Sequence, residues 1–364
     1  MSGWRRSLAG VLRAARLEDV LCLAGGLILL GLFLFTSLVS RFLFGLLDFC
    51  FILLPLLVLL GKVVAVEVIS SLRGRAAPPP AAGRGDLAPG GDPSGAVAGA
   101  TSAAGGGGED DPEAAFRAFV TTVGHLLRDW FPFLILSATY FSLYSNFILR
   151  VNPHTADAFL GALDQALLGH QAAVLLEPWI HPSLTWFLDV VYGSYLLYFP
   201  TIALFFYLYK QQGEFRRLML GFMVITFLGV MSYILVPAVG PLKHFHHVFS
   251  LDLQGNRIEP VLAQMLNRFR VVHDCFPSLH VGIPLLVSLI LRTTVGGWWF
   301  AGSLVYVALM SLATVYLRYH YLVDVLAAYA YAPAAVWLGD FLLARWPGWQ
   351  ARLADRVAPE EPAP

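Results

Sequence analysis

Two short stretches of this chain carry residues that could do chemistry. Residues 273–284 read HDCFPSLHVGIP and residues 315–329 read VYLRYHYLVDVLAAY, each at the mouth of a long apolar run. Ionisable groups are costly to bury at a bilayer boundary, so they face a protein interior, a water-filled cavity or a site. His320 and Asp324 stand four residues apart at a helix start, where their side chains lie one above the other. A carboxylate below an imidazole holds one ring nitrogen as a donor, leaves the other free to attack, and stabilises the imidazolium that forms. His280, on a separate helix, can serve as the acid that protonates a leaving oxygen. With Lys243, Arg268, Arg270 and Arg318 available for phosphate oxygens, the set reads as nucleophile, orienter, proton donor and anion clamp.

The elements that must position these groups are membrane helices. The 364-residue chain is 57% hydrophobic and 13% charged, about half the charge of a soluble domain, and its mean hydropathy is +0.67. Formal net charge is zero, so no global basic field points to nucleic acid. Cys22, Cys50 and Cys275 form no disulfide framework and read as small hydrophobic fillers, with Cys275 alone beside the polar motif. A spanning helix needs about 20 predominantly apolar residues. On that criterion eight candidates lie near 20–40, 42–66, 130–149, 184–208, 218–236, 279–291, 298–317 and 321–343. The first, behind Arg5, Arg6, Arg13 and Arg16, is too long for a cleaved signal and reads as an anchor.

This gives four regions: a transmembrane hairpin over 1–73, a Gly/Pro/Ala-rich linker over 74–112, a six-helix catalytic domain over 113–346, and a tail over 347–364. The linker has little to bury and is expected to be disordered. Before the fourth span, ADAFLGALDQALLG has helical periodicity and predicts an amphipathic helix at one membrane surface. With the N-terminus inside, 17 of the 24 Lys and Arg residues fall on the cytoplasmic side. His280 and His320 then open their spans from the same, extracytoplasmic face. Of the cations left on that face, Arg268, Arg270 and Arg318 sit in or beside the two polar stretches, which suggests that something anionic binds there.

At these residues FPSLHVG followed by RYHYLVDVLA resembles the type 2 phosphatidic acid phosphatase superfamily, whose sequences carry PSGH and a later SR…HxxxD segment. The resemblance is closer to the branch containing inositol phosphorylceramide synthases, through PSLH, HYxxDV, the Gly240–Pro241 pair, LDQALLGHQ and the forty-residue separation of the histidines. It covers about 130–343 and implies His320 as nucleophile, Asp324 as its partner, His280 as general acid and Ser278 among the phosphate-binding residues. Two departures stand out. The KxxxxxxRP pattern is absent, and Thr314 occupies the place of the SR arginine.

The expectation is an all-α integral membrane protein of about eight spans in a bacterial cytoplasmic membrane. It would act as a phosphotransferase on lipid phosphoesters at the extracytoplasmic face through a phosphohistidine. The substrates would be a phospholipid, sphingolipid or polyprenyl phosphate, with inositol phosphorylceramide synthase-like head-group transfer as the leading reading. A lipid-phosphate phosphatase using water is the rival within the enzyme class. A lipid transporter is the rival outside it, although a transporter would place its polar residues near the bilayer midplane. No cofactor and no metal are expected: the histidines of KHFHH, 243–247, lack a carboxylate or Cys at a recognisable ligand spacing. His273 and Asp274 either line the site or solvate a loop. Tyr192, Tyr195 and Tyr198, three apart, read as a helix face or interfacial belt.

Overall fold

The fold is seen in a computed structural model that describes residues 2–24, 112–142, 145–253 and 272–357. Most of the N-terminal hairpin, the 74–111 linker, and Arg257, Arg268 and Arg270 therefore lie outside the described residues. The chain divides into two units, one of Met1–Leu56 with Arg128–Pro364 and one of Leu57–Leu127. Of the second, 112–127 is described: a helical stretch with a local Glu113–Arg117 ion pair, i to i+4, between exposed side chains.

The described residues are helical apart from connecting turns and one isolated bridge between Ala238 and Asp274. In chain order the helices are α1 (Ser2–Ala14), α2 (Pro112–Ser142), α3 (Ser145–Val151), α4 (Asp157–Leu168), α5 (Pro182–Leu208), α6 (Gln212–Leu235), α7 (Leu279–Thr294), α8 (Gly297–Tyr316) and α9 (Leu322–Val357), with one-turn helices at Ala172–Leu175 and Pro241–His244. Among them α5, α6, α8 and α9 are long and apolar enough to cross a membrane. The protein is a multi-pass membrane protein. α7 has only 16 residues, about 24 Å at 1.5 Å per residue, yet it is the most enclosed, packing against α5, α6, α8 and α9. A short helix can sit in the middle because its neighbours, not lipid, cover its sides.

α7 and α9 begin at the same end, joined by Ser278 N–H on the Asp324 carbonyl at 3.1 Å, and the last turns of α6 reach that end through the Tyr233 hydroxyl on the Pro277 carbonyl at 3.3 Å. Gly229 makes one close crossing: a Cβ there would meet the Leu279 side chain at 2.7 Å. α9 runs through Pro333 and Pro347 to Val357, and its far end packs on α1. There the Gln350 amide donates to the carbonyls of Leu12, Arg13 and Ala15, each at 2.8 Å. These belong to the last turn of α1 and the residue after it, where helix carbonyls lack partners of their own.

α4 occupies the stretch read as amphipathic, and its polar side faces inward. Asp157, Leu160, Gly161 and Asp164 are buried, while Phe159, Leu163 and Leu167 are exposed. In a membrane protein that arrangement is physically consistent, since the apolar face can meet lipid while carboxylates find donors inside. Asp164 accepts the backbone N–H groups of Leu322 (2.9 Å) and Val323 (3.0 Å), the first two residues of α9. It caps that helix from another helix, satisfying donors that no intrahelical carbonyl can reach. Burial raises the Asp164 carboxyl above its ordinary value, against the opposing pull of these N–H groups.

Candidate active site

His320 does not sit in the first turn of a helix. It lies in the turn between α8 and α9, 4% exposed, with its backbone N–H and that of Tyr319 both donating to the Thr314 carbonyl. Arg318 makes that turn possible by adopting a left-handed backbone (φ 66°). Asp324 is in the first turn of α9, and its Oδ2 accepts the Tyr321 N–H at 2.8 Å, one half of a capping box. The same Oδ2 lies 3.4 Å from His320 Nδ1, so the i to i+4 pair forms as the spacing predicted.

His280 enters from the second residue of α7. Its Nδ1 lies 3.4 Å from His320 Nε2, with ring centroids 5.6 Å apart. Two histidines forty residues apart thus face each other through ring nitrogens. In the tautomer that directs Nδ1–H of His320 at Asp324, Nε2 is the lone-pair nitrogen, and the proton between the two rings then belongs to His280 Nδ1.

Tyr192 and Tyr195 of α5 pack on His280, with centroids at 4.5 and 4.4 Å, and Tyr192 also lies against Tyr319. They lock the His280 ring in orientation. Tyr198, a turn further on, hydrogen bonds Ser303 of α8 at 2.6 Å and stacks on Tyr306. The tyrosine face is therefore a packed helix face in which two of three members touch a candidate catalytic group.

The phosphate-binding candidates separate. Ser278 is fully buried at the N-cap of α7. Its N–H donates to the Asp324 carbonyl (3.1 Å), and its Oγ has no hydrogen-bond partner among the described residues. Lys243 is exposed on the Pro241–His244 turn. That turn is held beside the His320 loop by Leu242 N–H donating to the Arg318 carbonyl at 2.8 Å. Gly240 permits the approach: its φ is +88°, and a Cβ would sit 2.4 Å from the Tyr319 carbonyl oxygen. Asp157 secures the same turn, accepting from the N–H groups of Val239 and Gly240 and from the Tyr321 hydroxyl (2.9 Å). Burial and Asp157 raise the Tyr321 phenol, which stays protonated as that donor.

Arg318 is largely engaged elsewhere. One guanidinium nitrogen pairs with Glu177 at 3.1 Å and bonds the Leu251 carbonyl, and the plane lies over Phe249 at 4.0 Å. Its Nε is buried with no hydrogen-bond partner among the described residues. Glu177 in turn accepts from the N–H and hydroxyl of Ser250, so the pair anchors residues 250 and 251. Thr314, at the place of the SR arginine, is fully buried with its hydroxyl on the Ser311 carbonyl.

Cys275, read from sequence as a filler, sits beneath the pair. Its thiol donates to Asp324 Oδ2 at 3.0 Å and lies 3.6 Å from His320 Nδ1. His273 is buried, and that burial lowers its imidazole below the ordinary value; Asp274 accepts from the Tyr140 hydroxyl. Among the described residues one group, Cys275, His320 and Asp324, brings three possible metal-ligand atoms within 4.8 Å. Burial and the adjacent carboxylate push the Cys275 thiol well up, so it is a protonated donor to Asp324 and a poor metal ligand. The residues not read as site residues from the sequence (Tyr192, Tyr195, Cys275, Asp157, Asp164, Glu177) act on partners 40 or more residues away. The buried Asp157 and Asp164 did leave a signal, as two acids seven residues apart on one helix face.

No curated protein and no solved structure matches the chain. A family model does match, that of the PAP2 superfamily, over residues 158–338. The match runs from α4 through most of α9 and takes in both histidines, Asp324, the Gly240 turn and the Tyr192–Tyr195 face. Residues 158–338 are thus a membrane phosphatase-type domain of the PAP2 superfamily.

Proposed function

We propose that the protein transfers phosphoryl or phospho-head groups of lipid phosphoesters through a phosphohistidine on His320, with inositol phosphorylceramide synthase-like head-group transfer as the activity and water as the alternative acceptor. The observation that carries this reading is the pair of imidazoles facing each other at 3.4 Å, with Asp324 behind one of them. A phosphate entering between the rings meets His320 Nε2 on one side. The N–P bond forms as the bond to the leaving oxygen breaks, and His280 Nδ1 gives that oxygen its proton. In the second half, the acceptor hydroxyl loses its proton to His280, attacks phosphorus and releases His320. Asp324 stabilises the imidazolium character of the phosphorylated ring and holds Nδ1 as the donor.

Lys243, Ser278 and the free Nε of Arg318 are the described candidates for phosphate oxygens, joined from the 254–271 segment by Arg268 and Arg270. Positioning and charge stabilisation dominate such transfers. The charge asymmetry of the sequence supports an extracytoplasmic site. No metal step is needed, because a side chain is the nucleophile.

The deciding experiment incubates purified protein with phosphate-labelled phospholipids, with and without inositol-containing acceptors and a ceramide, and separates the products. A labelled head-group transfer product supports the transferase and free phosphate the hydrolase. Alkali-stable, acid-labile label on the protein, absent in His320→Ala, identifies the intermediate. Label elsewhere overturns the mechanism. Turnover is expected to survive EDTA.

A further inference from the structure

The contact between Asp324 and His320 is shared. Asp324 Oδ2 receives three donors, Tyr321 N–H at 2.8 Å, the Cys275 thiol at 3.0 Å and His320 Nδ1 at 3.4 Å, while Oδ1 is buried with no hydrogen-bond partner among the described residues. The weakest contact on the crowded oxygen is the one to the candidate nucleophile. We infer that Cys275 is a positioning residue that tunes His320: its thiol draws on the carboxylate that supports the imidazole, and so keeps His320 less basic than Asp324 alone would make it. The inference rests on His320 being the nucleophile of the proposed function.

The physical argument runs through the charge on the carboxylate. A neighbouring anion favours imidazolium, and a donor that stabilises the anion weakens that effect. The nucleophile must be neutral at Nε2 to attack, so a lower basicity keeps more of it reactive at a given pH. A thiol suits this role because it is a weak donor. It moderates the pair without displacing His320 from the carboxylate. Cys275 has one proton and three partners within reach, Asp324 Oδ2 at 3.0 Å, the Tyr319 carbonyl at 3.3 Å and His320 Nδ1 at 3.6 Å. The nearest is the carboxylate. The residue is 4% exposed and held by its own N–H on the Ala238 carbonyl, so the thiol has little freedom to turn away.

Other titratable groups face this cluster. His280 lies at Nε2 of His320, Tyr321 and Asp157 pack behind Cys275, and Asp274 and Tyr233 act on the same loop. None of these hydrogen bonds the Asp324 carboxylate through its side chain, which leaves Cys275 as the side chain that competes with His320 for it among the described residues.

The test measures the titration of His320 itself, by NMR of ring-labelled histidine in full-length protein in detergent micelles, the signal being assigned by its loss in His320→Asn. Cys275→Ala is expected to raise the His320 midpoint by about half a pH unit, since the carboxylate is then free to bind the imidazole more fully. Cys275→Ser restores a donor and is expected to bring the midpoint back to the wild-type value or below. If Cys275→Ala does not fold, Cys275→Val removes the donor while filling the space. An unchanged or lowered midpoint without the donor overturns the inference, as does a rise in Cys275→Ser equal to that in Cys275→Ala. A parallel assay of labelled phosphatidic acid separates the two readings. Turnover retained in His320→Ala defeats the proposed function, whereas a dead His320→Ala with unmoved titration in the Cys275 variants defeats only this inference.

Discussion

At one end of the helices Arg16, Arg128, Arg216 and Arg217 face Asp129, Asp19, Glu18 and Asp340; at the other, His320, Asp324, Ser278 and Arg318 crowd together. Both ends are rich in ionisable residues, but they are finished differently. At the arginine end, charge is matched with charge: Arg217 binds Asp340 through two nitrogens, at 2.6 and 2.7 Å, and uses a third on Thr293. Such bidentate pairs tie α6, α9, α2 and the N-terminal segment together and have little left to offer a ligand. At the histidine end, Ser278 Oγ, Asp324 Oδ1, Arg318 Nε and His273 Nδ1 are buried with no hydrogen-bond partner among the described residues. Buried polar atoms without hydrogen-bond partners cost stability. Trp130 Nε1 and Glu214 Oε2 are two such atoms at the arginine end, but the four beside the facing imidazoles support the site proposed there. The comparison separates charges that hold helices together from charges kept ready for chemistry.

Variants can break that comparison, because the histidine end is expected to govern rate and the arginine end stability. The largest effect belongs to His320→Ala, which is expected to abolish turnover of labelled lipid while leaving the melting temperature near that of the wild type. A loss of fold comparable to the loss of rate would make His320 a structural residue. His280→Ala is expected to cost on the order of 100- to 10,000-fold on lipid, the range for a general acid. Its cost should shrink on a nitrophenyl phosphate ester, whose leaving group needs no proton; equal losses on both substrates would leave His280 a binding role only.

Asp164→Ala sharpens the boundary, since Asp164 caps the helix turn that carries Asp324. It is expected to lower stability by about 1–2 kcal/mol, as loss of a cap does. Turnover should also fall, by roughly 10- to 100-fold, through misplacement of the site. Thermal melts and kinetics on one preparation test both, and an unchanged rate would show that the cap matters only to folding. Arg217→Met is expected to cost about 1–2 kcal/mol, a partly exposed bidentate pair being worth no more, with kcat unaltered. A rate loss there would end the division of labour.

The smallest effect concerns His273. Burial holds its imidazole below the ordinary value of 6.5, so between that lowered value and 6.5 the unfolded chain binds more protons than the folded one. Stability should therefore fall as pH drops below 6.5 through this window. His273→Asn should flatten that part of the melting-temperature profile, and a variant with the wild-type slope would mean that His273 contributes nothing to it.

Much of the scaffold was legible from one-dimensional features. Runs of apolar residues marked where α5, α6, α7, α8 and α9 would form, and the parity of those helices was enough to bring His280 and His320 to one end. The four-residue spacing of His320 and Asp324 implied their contact, but for a different reason than helix periodicity: His320 lies in the turn before α9, and Asp324 reaches back across the N-terminus of that helix to meet it. Local spacing is silent on partners from elsewhere in the chain. Nothing around Cys275 distinguishes a filler from a thiol placed 3.0 Å from a carboxylate 49 residues on. The tyrosines of α5 could only be read as a helix face, since which ring they stack on depends on how α5 packs against α7. Arg318 looked available for phosphate, and only the folded chain reveals Glu177, 141 residues earlier, taking part of its guanidinium. The sequence by itself determined which helices form and which end the histidines share, both set by local periodicity and bilayer length. The tertiary structure decided which polar atoms are already satisfied and which remain open, because that depends on close packing between distant helices, and this is what distinguishes a site from a strut.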